Sequence, residues 1–99
     1  MVKVISKRNV RRAALAHARS RASVERWIDL MESTTAVNLV ELRRVTPQVD
    51  QVGGALVFNL GGNNYRLICC VWWKRGLLLF RRLLTHAEYD RINVEDLCR

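Results

Sequence analysis

The chain reads as an α+β domain, with N-terminal helices packed on a small, mainly antiparallel twisted sheet and a short C-terminal helix. Three observations predict this. Val24, Trp27, Ile28 and Met31 repeat at i, i+3, i+4 and i+7, the core stripe of an amphipathic helix. After Gly54 the pattern changes to three apolar runs separated by Gly- and Asn-containing turns, the signature of consecutive hairpins. The 99 residues, 49% of them hydrophobic, suit one core and one domain spanning 1–99.

Each element has its own local warrant. Residues 2–6 alternate enough for a short first strand. Lys7 to His17 is rich in helix formers. Helical spacing puts Arg8, Arg11 and Arg12 on one face and Val10, Ala13, Ala14 and His17 on the other, so His17 reads as a core-edge histidine. Ser23 is placed to cap the second helix, with Glu25 in its first turn, and Ser33-Thr34-Thr35 ends it. Asn38 and Glu41 form a capping-box pattern for a short third helix that closes before Pro47. Asp50 to Gly54 reads as a loop.

Ala55 to Leu60 and Tyr65 to Trp73 are the strands of a hairpin turned by Gly61-Gly62-Asn63-Asn64. Lys74-Arg75-Gly76 turns the chain into a third strand, Leu77 to Leu84. The last two strands are apolar on both faces, which predicts central positions. Strict alternation groups Arg66 with Ile68, Cys70 and Trp72, and Arg81 with Leu77, Leu79 and Leu83, with Arg82 opposite. Thr85-His86-Ala87-Glu88 is a second capping box, so a short helix starts at His86 and brings Tyr89 onto the same face.

Charge narrows the partners. The net charge is +8 and the pI about 10.5, a balance that favours phosphate-rich or acidic partners. Residues 1–21 carry seven Lys or Arg and no acid, which serves either a solvated face or a phosphate-binding or partner-docking face. No signal peptide or membrane-length apolar segment is visible. The three cysteines, two of them adjacent, lack metal-ligand spacing and make a poor disulfide framework. They read as two strand residues and a free thiol at Cys98, in a reducing cytoplasm.

The side chains able to do chemistry are Arg66, Arg81, His86 and Tyr89, with Asn63, Asn64, Lys74, Arg75 and Arg82 as further polar or basic groups. Neither a nucleotide-binding Gly-rich motif nor a Ser-His-Asp order nor a metal triad is evident. RNA cleavage fits this inventory, because the substrate supplies its own 2′-OH nucleophile. Arginine suits a dianionic phosphorane, and histidine or tyrosine can move the protons. The plainer alternative is that Tyr89 packs the terminal helix and Arg81 pairs with Glu88 or Asp90.

The run VFNLGGNNYRLI, followed by an ungapped hairpin into THAEYDRI, resembles the HigB-type toxins of bacterial toxin–antitoxin pairs, which share the RelE-like fold. The likeness is specific from about Asp50 to Ile92, and the earlier residues agree in organisation. It implies a cytoplasmic, ribosome-associated mRNA interferase: an endoribonuclease that needs no metal or other cofactor and inhibits translation. It also implies a cognate antitoxin, of helix-turn-helix type, through which alone the toxin would meet DNA, and no membrane partner. Carried over by motif, Asn63, Tyr65 and Arg66 match the family's GGN-x-YR run. Arg81 matches its strand arginine, and His86, Glu88, Tyr89 and Asp90 its TH-x-EYD run. Arg66 and Arg81 would stabilise the phosphorane, and His86 and Tyr89 would handle protons. Asn63, Asn64, Lys74, Arg75, Arg82 and the N-terminal Arg8, Arg11 and Arg12 would bind RNA. This chain departs from the family pattern at Asn64, Arg82 and Leu84. A non-catalytic RNA- or antitoxin-binding module is the alternative, and related toxins of this fold class act on gyrase instead.

Overall fold

The computed structural model describes residues 3–62 and 64–98. It has the expected α+β architecture. Strand β1 (Lys3–Ile5) leads into helix α1 (Lys7–Ala16), a 3-10 turn (Ala18–Ser20), helix α2 (Arg21–Ser33) and helix α3 (Leu39–Val45). Strands β2 (Asp50–Val52), β3 (Ala55–Leu60), β4 (Tyr65–Trp72) and β5 (Leu77–Thr85) follow, then helix α4 (His86–Tyr89) and a C-terminal 3-10 turn (Val94–Cys98). The sheet order is β1-β5-β4-β3-β2. Among the described residues, only β1, beside β5, pairs in parallel. The apolar β4 and β5 lie inside the sheet, as their two-sided hydrophobicity requires.

The helices cover one sheet face. Val10 and Ala14 of α1 and Val24, Trp27, Ile28 and Met31 of α2 meet Leu56, Phe58, Leu67, Cys69 and Leu78 in the main core. Trp27 and Phe58 pack edge-on, with ring centroids 5.3 Å apart. Such a pair adds about 0.5–1.5 kcal/mol beyond burial. At α3 half of the expected capping box is present: the Asn38 side chain accepts from the Glu41 N–H at 2.9 Å. Glu41 itself reaches back one residue further than expected, accepting from the Val37 N–H at 3.2 Å.

Four expectations need correction. Helix α2 begins at Arg21, not after Ser23, because the 3-10 turn feeds it directly. Buried Ser20 precedes it and donates its hydroxyl to the His17 carbonyl at 2.6 Å. Residues 50–52 form an edge strand, not a loop; polar Asp50 and Gln51 hide it, since an edge strand needs only backbone pairing with β3.

The third correction concerns β5. Ile68 pairs with Arg82 but Cys69 pairs with Phe80, so Arg81 is the extra residue of a β-bulge. Alternation therefore resets. Leu77 and Leu79 oppose Trp72 and Cys70, whereas Leu83 opposes Leu67 in the main core.

The fourth correction concerns the C-terminus. The last 3-10 turn folds back over the sheet face that the helices leave bare. Val94, Leu97 and Cys98 cover Ala55, Val57 and Ile68, with Tyr89 and Leu84 at the margin. Cys98 is not a free thiol but is bridged to Cys70, with Cα atoms 5.4 Å apart. Nothing in a separation of 28 residues shows that the two thiols meet. Adjacent Cys69 faces the helical side as a buried free cysteine, and burial pushes its thiol pKa well up.

Candidate active site

The polar groups collect where β4 begins and β5 ends. Tyr65 stands opposite Thr85 and Arg66 opposite Leu84. The hairpin turn is tied to the next element by the His86 N–H, which donates to the Asn64 carbonyl at 3.2 Å. Gly61 and Gly62 both have positive φ, the backbone conformation that tight turn requires. Asn63 lies outside the described residues.

Thr85 then sets the direction of α4. Its hydroxyl accepts from the Glu88 N–H at 3.2 Å, and the Glu88 carboxylate accepts from the Thr85 N–H at 2.9 Å. These bonds to Thr85, with nearby His17 and Arg91, hold the Glu88 carboxyl below its ordinary range. The box fixes His86 at the first helical position with its side chain exposed, Nδ1 lying 3.3 Å from the Asp90 carboxylate one turn on. That contact is an ion pair when the imidazole is protonated. Tyr89, expected on the face of His86, does not share its exposure: it is half-buried against the C-terminal segment, with the Arg66 guanidinium 5.8 Å from its ring centre.

The arginines differ in how they are held. Arg66 donates to the Tyr65 carbonyl at 3.2 Å and lies within cation–π range of Tyr89. Arg82 is exposed and donates to the Arg81 carbonyl at 2.8 Å. Arg81 sits in the bulge, half-buried, and its Nε is inaccessible to solvent without a hydrogen-bond partner among the described residues. The carboxylates proposed as its plain structural partners are engaged elsewhere, Glu88 with Thr85 and Asp90 with His86.

One end of the sheet therefore gathers Asn64, Arg66, His86 and Tyr89, while Arg82, opposite Ile68, and Arg81, in the bulge, lie nearer the middle of β5. It does not gather all the expected RNA-binding groups. Lys74 and Arg75 sit in a 3-10 turn beyond the far end of β4. Eight strand residues at ~3.3 Å each put them about 25 Å from Tyr65. Arg8, Arg11 and Arg12 are exposed on α1, in the helical layer.

His17 is a neighbour that its helical spacing does not reveal. It is half-buried as expected for a core-edge residue, but its ring packs on Tyr65 with centroids 5.3 Å apart. Its Nε2 lies 4.0 Å from the Glu88 carboxylate. The contact arises because α1 ends beside the start of β4, which local spacing cannot show.

Among the described residues, no three His, Cys, Asp or Glu side chains come together as a metal site would need. No helix among them is long and apolar enough to cross a membrane. No curated protein matches the chain. A family comparison does: residues 20–92 match the HigB toxin family, described as the RelE-like toxic component of a toxin–antitoxin system. The match spans the core from α2 to just past α4 and leaves out α1. With well over half of its length so matched, in an α+β fold of the expected kind, the chain belongs to the HigB family of RelE-like toxins.

Proposed function

We propose that this toxin is a ribosome-associated mRNA interferase, active in the cytoplasm and silenced by a helix-turn-helix antitoxin. The observation that carries the reading is the cluster of Arg66, Tyr89 and the His86–Asp90 pair at one sheet end, with Arg82 and the bulged Arg81 farther along β5. Such a cluster suits an in-line attack of a ribose 2′-OH on the adjacent phosphate. The 2′-oxygen–phosphorus bond forms, the bond to the 5′-oxygen breaks, and a 2′,3′-cyclic phosphate and a 5′-OH result. One proton leaves the 2′-OH and another reaches the departing 5′-oxygen.

Arg66 and Arg81 are assigned to the phosphorane, whose spread negative charge matches planar, permanently charged forks. His86 and Tyr89 are assigned to the two proton transfers, with Asp90 orienting the imidazole. Exposed Asn64 and Arg82 are assigned to the RNA backbone beside the cleavage point, with Asn63 of the same turn. Lys74 and Arg75, at the distant end of the sheet, would contact RNA only well away from it. The chemistry calls for no metal, because the nucleophile belongs to the substrate.

The test is primer extension on total RNA after induction. The unmodified protein is expected to generate new 5′ ends within messages, and Arg81→Ala/His86→Ala none. Equal cleavage by both would remove these residues from the mechanism. Loss of growth without new RNA ends would favour a non-catalytic module acting by binding alone. Incubating the same message with and without ribosomes decides ribosome dependence.

A further inference from the structure

Between α1 and α2 lies a cleft of about 390 Å³ lined by Arg8, Arg11, Arg12, Leu15, Arg21 and Glu25. Four guanidiniums thus face one carboxylate. Glu25 engages Arg11 through two bonds, at 2.9 and 3.1 Å, in the forked geometry by which arginine recognises carboxylates. Arg8, Arg12 and Arg21 are exposed. Like charges so close raise the energy of the free protein, and a partner that brings carboxylates relieves it.

The cleft has an apolar element that a phosphate backbone would not use. Leu15 is 66% exposed, although α1 has buried Val10 and Ala14 to present to the core. An aliphatic side chain ringed by guanidiniums is complementary to an amphipathic helix with acidic flanks and an apolar stripe. The cleft belongs to the helical layer, the other side of the sheet from Arg82 and Leu84, so its occupant need not compete with RNA. Helix α1 falls outside the span matched to the family, whereas Arg21 and Glu25 of α2 lie within it.

We propose that the α1–α2 cleft docks an acidic amphipathic helix of the cognate antitoxin, with carboxylates on Arg8, Arg12 and Arg21 and an apolar side chain over Leu15. The proposal rests on membership of a toxin–antitoxin family and not on the nuclease reading. Charge sets partner choice and approach, while Leu15 anchors the centre.

The test is calorimetric titration of the full-length toxin with the purified antitoxin encoded by the neighbouring reading frame. Arg8→Glu/Arg12→Glu/Arg21→Glu should weaken binding by at least ~100-fold. Leu15→Ala should weaken it about tenfold. Affinity of the unmodified pair should fall as salt rises, because the contacts are between charges at the surface. Binding of the variants to ribosomes, followed by co-sedimentation, should be unchanged. Leu15→Ala and the salt series retain every charge on the protein, so they decide the matter even if the triple variant folds poorly. Unchanged antitoxin affinity in Leu15→Ala together with salt-independent binding would overturn the proposal. So would loss of ribosome binding in the triple variant with antitoxin affinity intact, which would make the cleft an RNA surface. Failure of the nuclease reading would leave these affinities untouched.

Discussion

Replacing Thr85 with Ala isolates the device that aims His86. The substitution removes the hydroxyl that accepts from the Glu88 N–H and leaves the reciprocal bond, which uses the Thr85 backbone N–H. Loss of an N-cap side chain costs about 1 kcal/mol. Unfolding entropy of ~2.1 cal/mol/K per residue gives about 0.2 kcal/mol/K for a chain of this length, so Tm should fall by roughly 5 °C. A small domain is stable by at least ~5 kcal/mol, so the variant would remain folded by a factor of about 10³ at 25 °C. Any loss of activity there reports position and not unfolding. If the cap holds the imidazole in place, a displacement of ~1 Å should slow cleavage by about 100-fold. Single-turnover cleavage of a defined message on purified ribosomes measures this, with Thr85→Ser, which keeps the hydroxyl, expected to retain the rate. A Tm lowered by about 5 °C with a cleavage rate within about twofold of normal would refute the positioning role.

Two further outcomes follow from the same geometry. The Cys70–Cys98 bridge closes a loop of 28 residues' separation, and the chain-entropy relation assigns such a link up to about 3.6 kcal/mol. Dithiothreitol or Cys98→Ser should therefore lower Tm by up to ~17 °C at about 0.2 kcal/mol/K. Superimposable melting curves, with all three cysteines titrating as thiols in the untreated, unfolded protein, would show that the bridge does not form in solution. If the toxin works in the reducing cytoplasm, as proposed, the same bond would be held open there, and the purified and cellular forms should differ in stability. The Glu88 carboxyl, depressed by its bonds to Thr85, stabilises the fold fully above its unfolded pKa and loses that contribution as pH falls through the lower folded value. The Tm gap between the unmodified protein and Glu88→Gln should thus be present at neutral pH and close below pH 4.5; a gap independent of pH would remove the charge from the account.

Local pattern was enough for most of this fold. The i, i+3, i+4, i+7 stripe of α2, the Asn38 cap, the capping box at Thr85, and the Gly61-Gly62 turn are governed by contacts within a few residues, so the chain states them openly. The same holds for much of the candidate site, because Arg66, Thr85, His86 and Tyr89 are brought together by one hairpin and one cap. What the pattern hides depends on distant partners. Edge strand β2 exists only because β3 offers backbone groups to pair with. The bulge at Arg81 resets alternation, because the pairing partner can skip a residue that composition does not mark. The C-terminal turn closes over Ile68 and Val57, joining Cys98 to Cys70 and pressing Tyr89 beneath Arg66. His17 meets Glu88 and Tyr65 only because α1 ends beside the start of β4. Residue identity and local spacing thus determine the elements, their caps and the inventory of reactive groups. Which of those groups face one another is left to long-range packing, since side chains far apart along the chain share a surface only after the helices and the C-terminus have closed on the sheet.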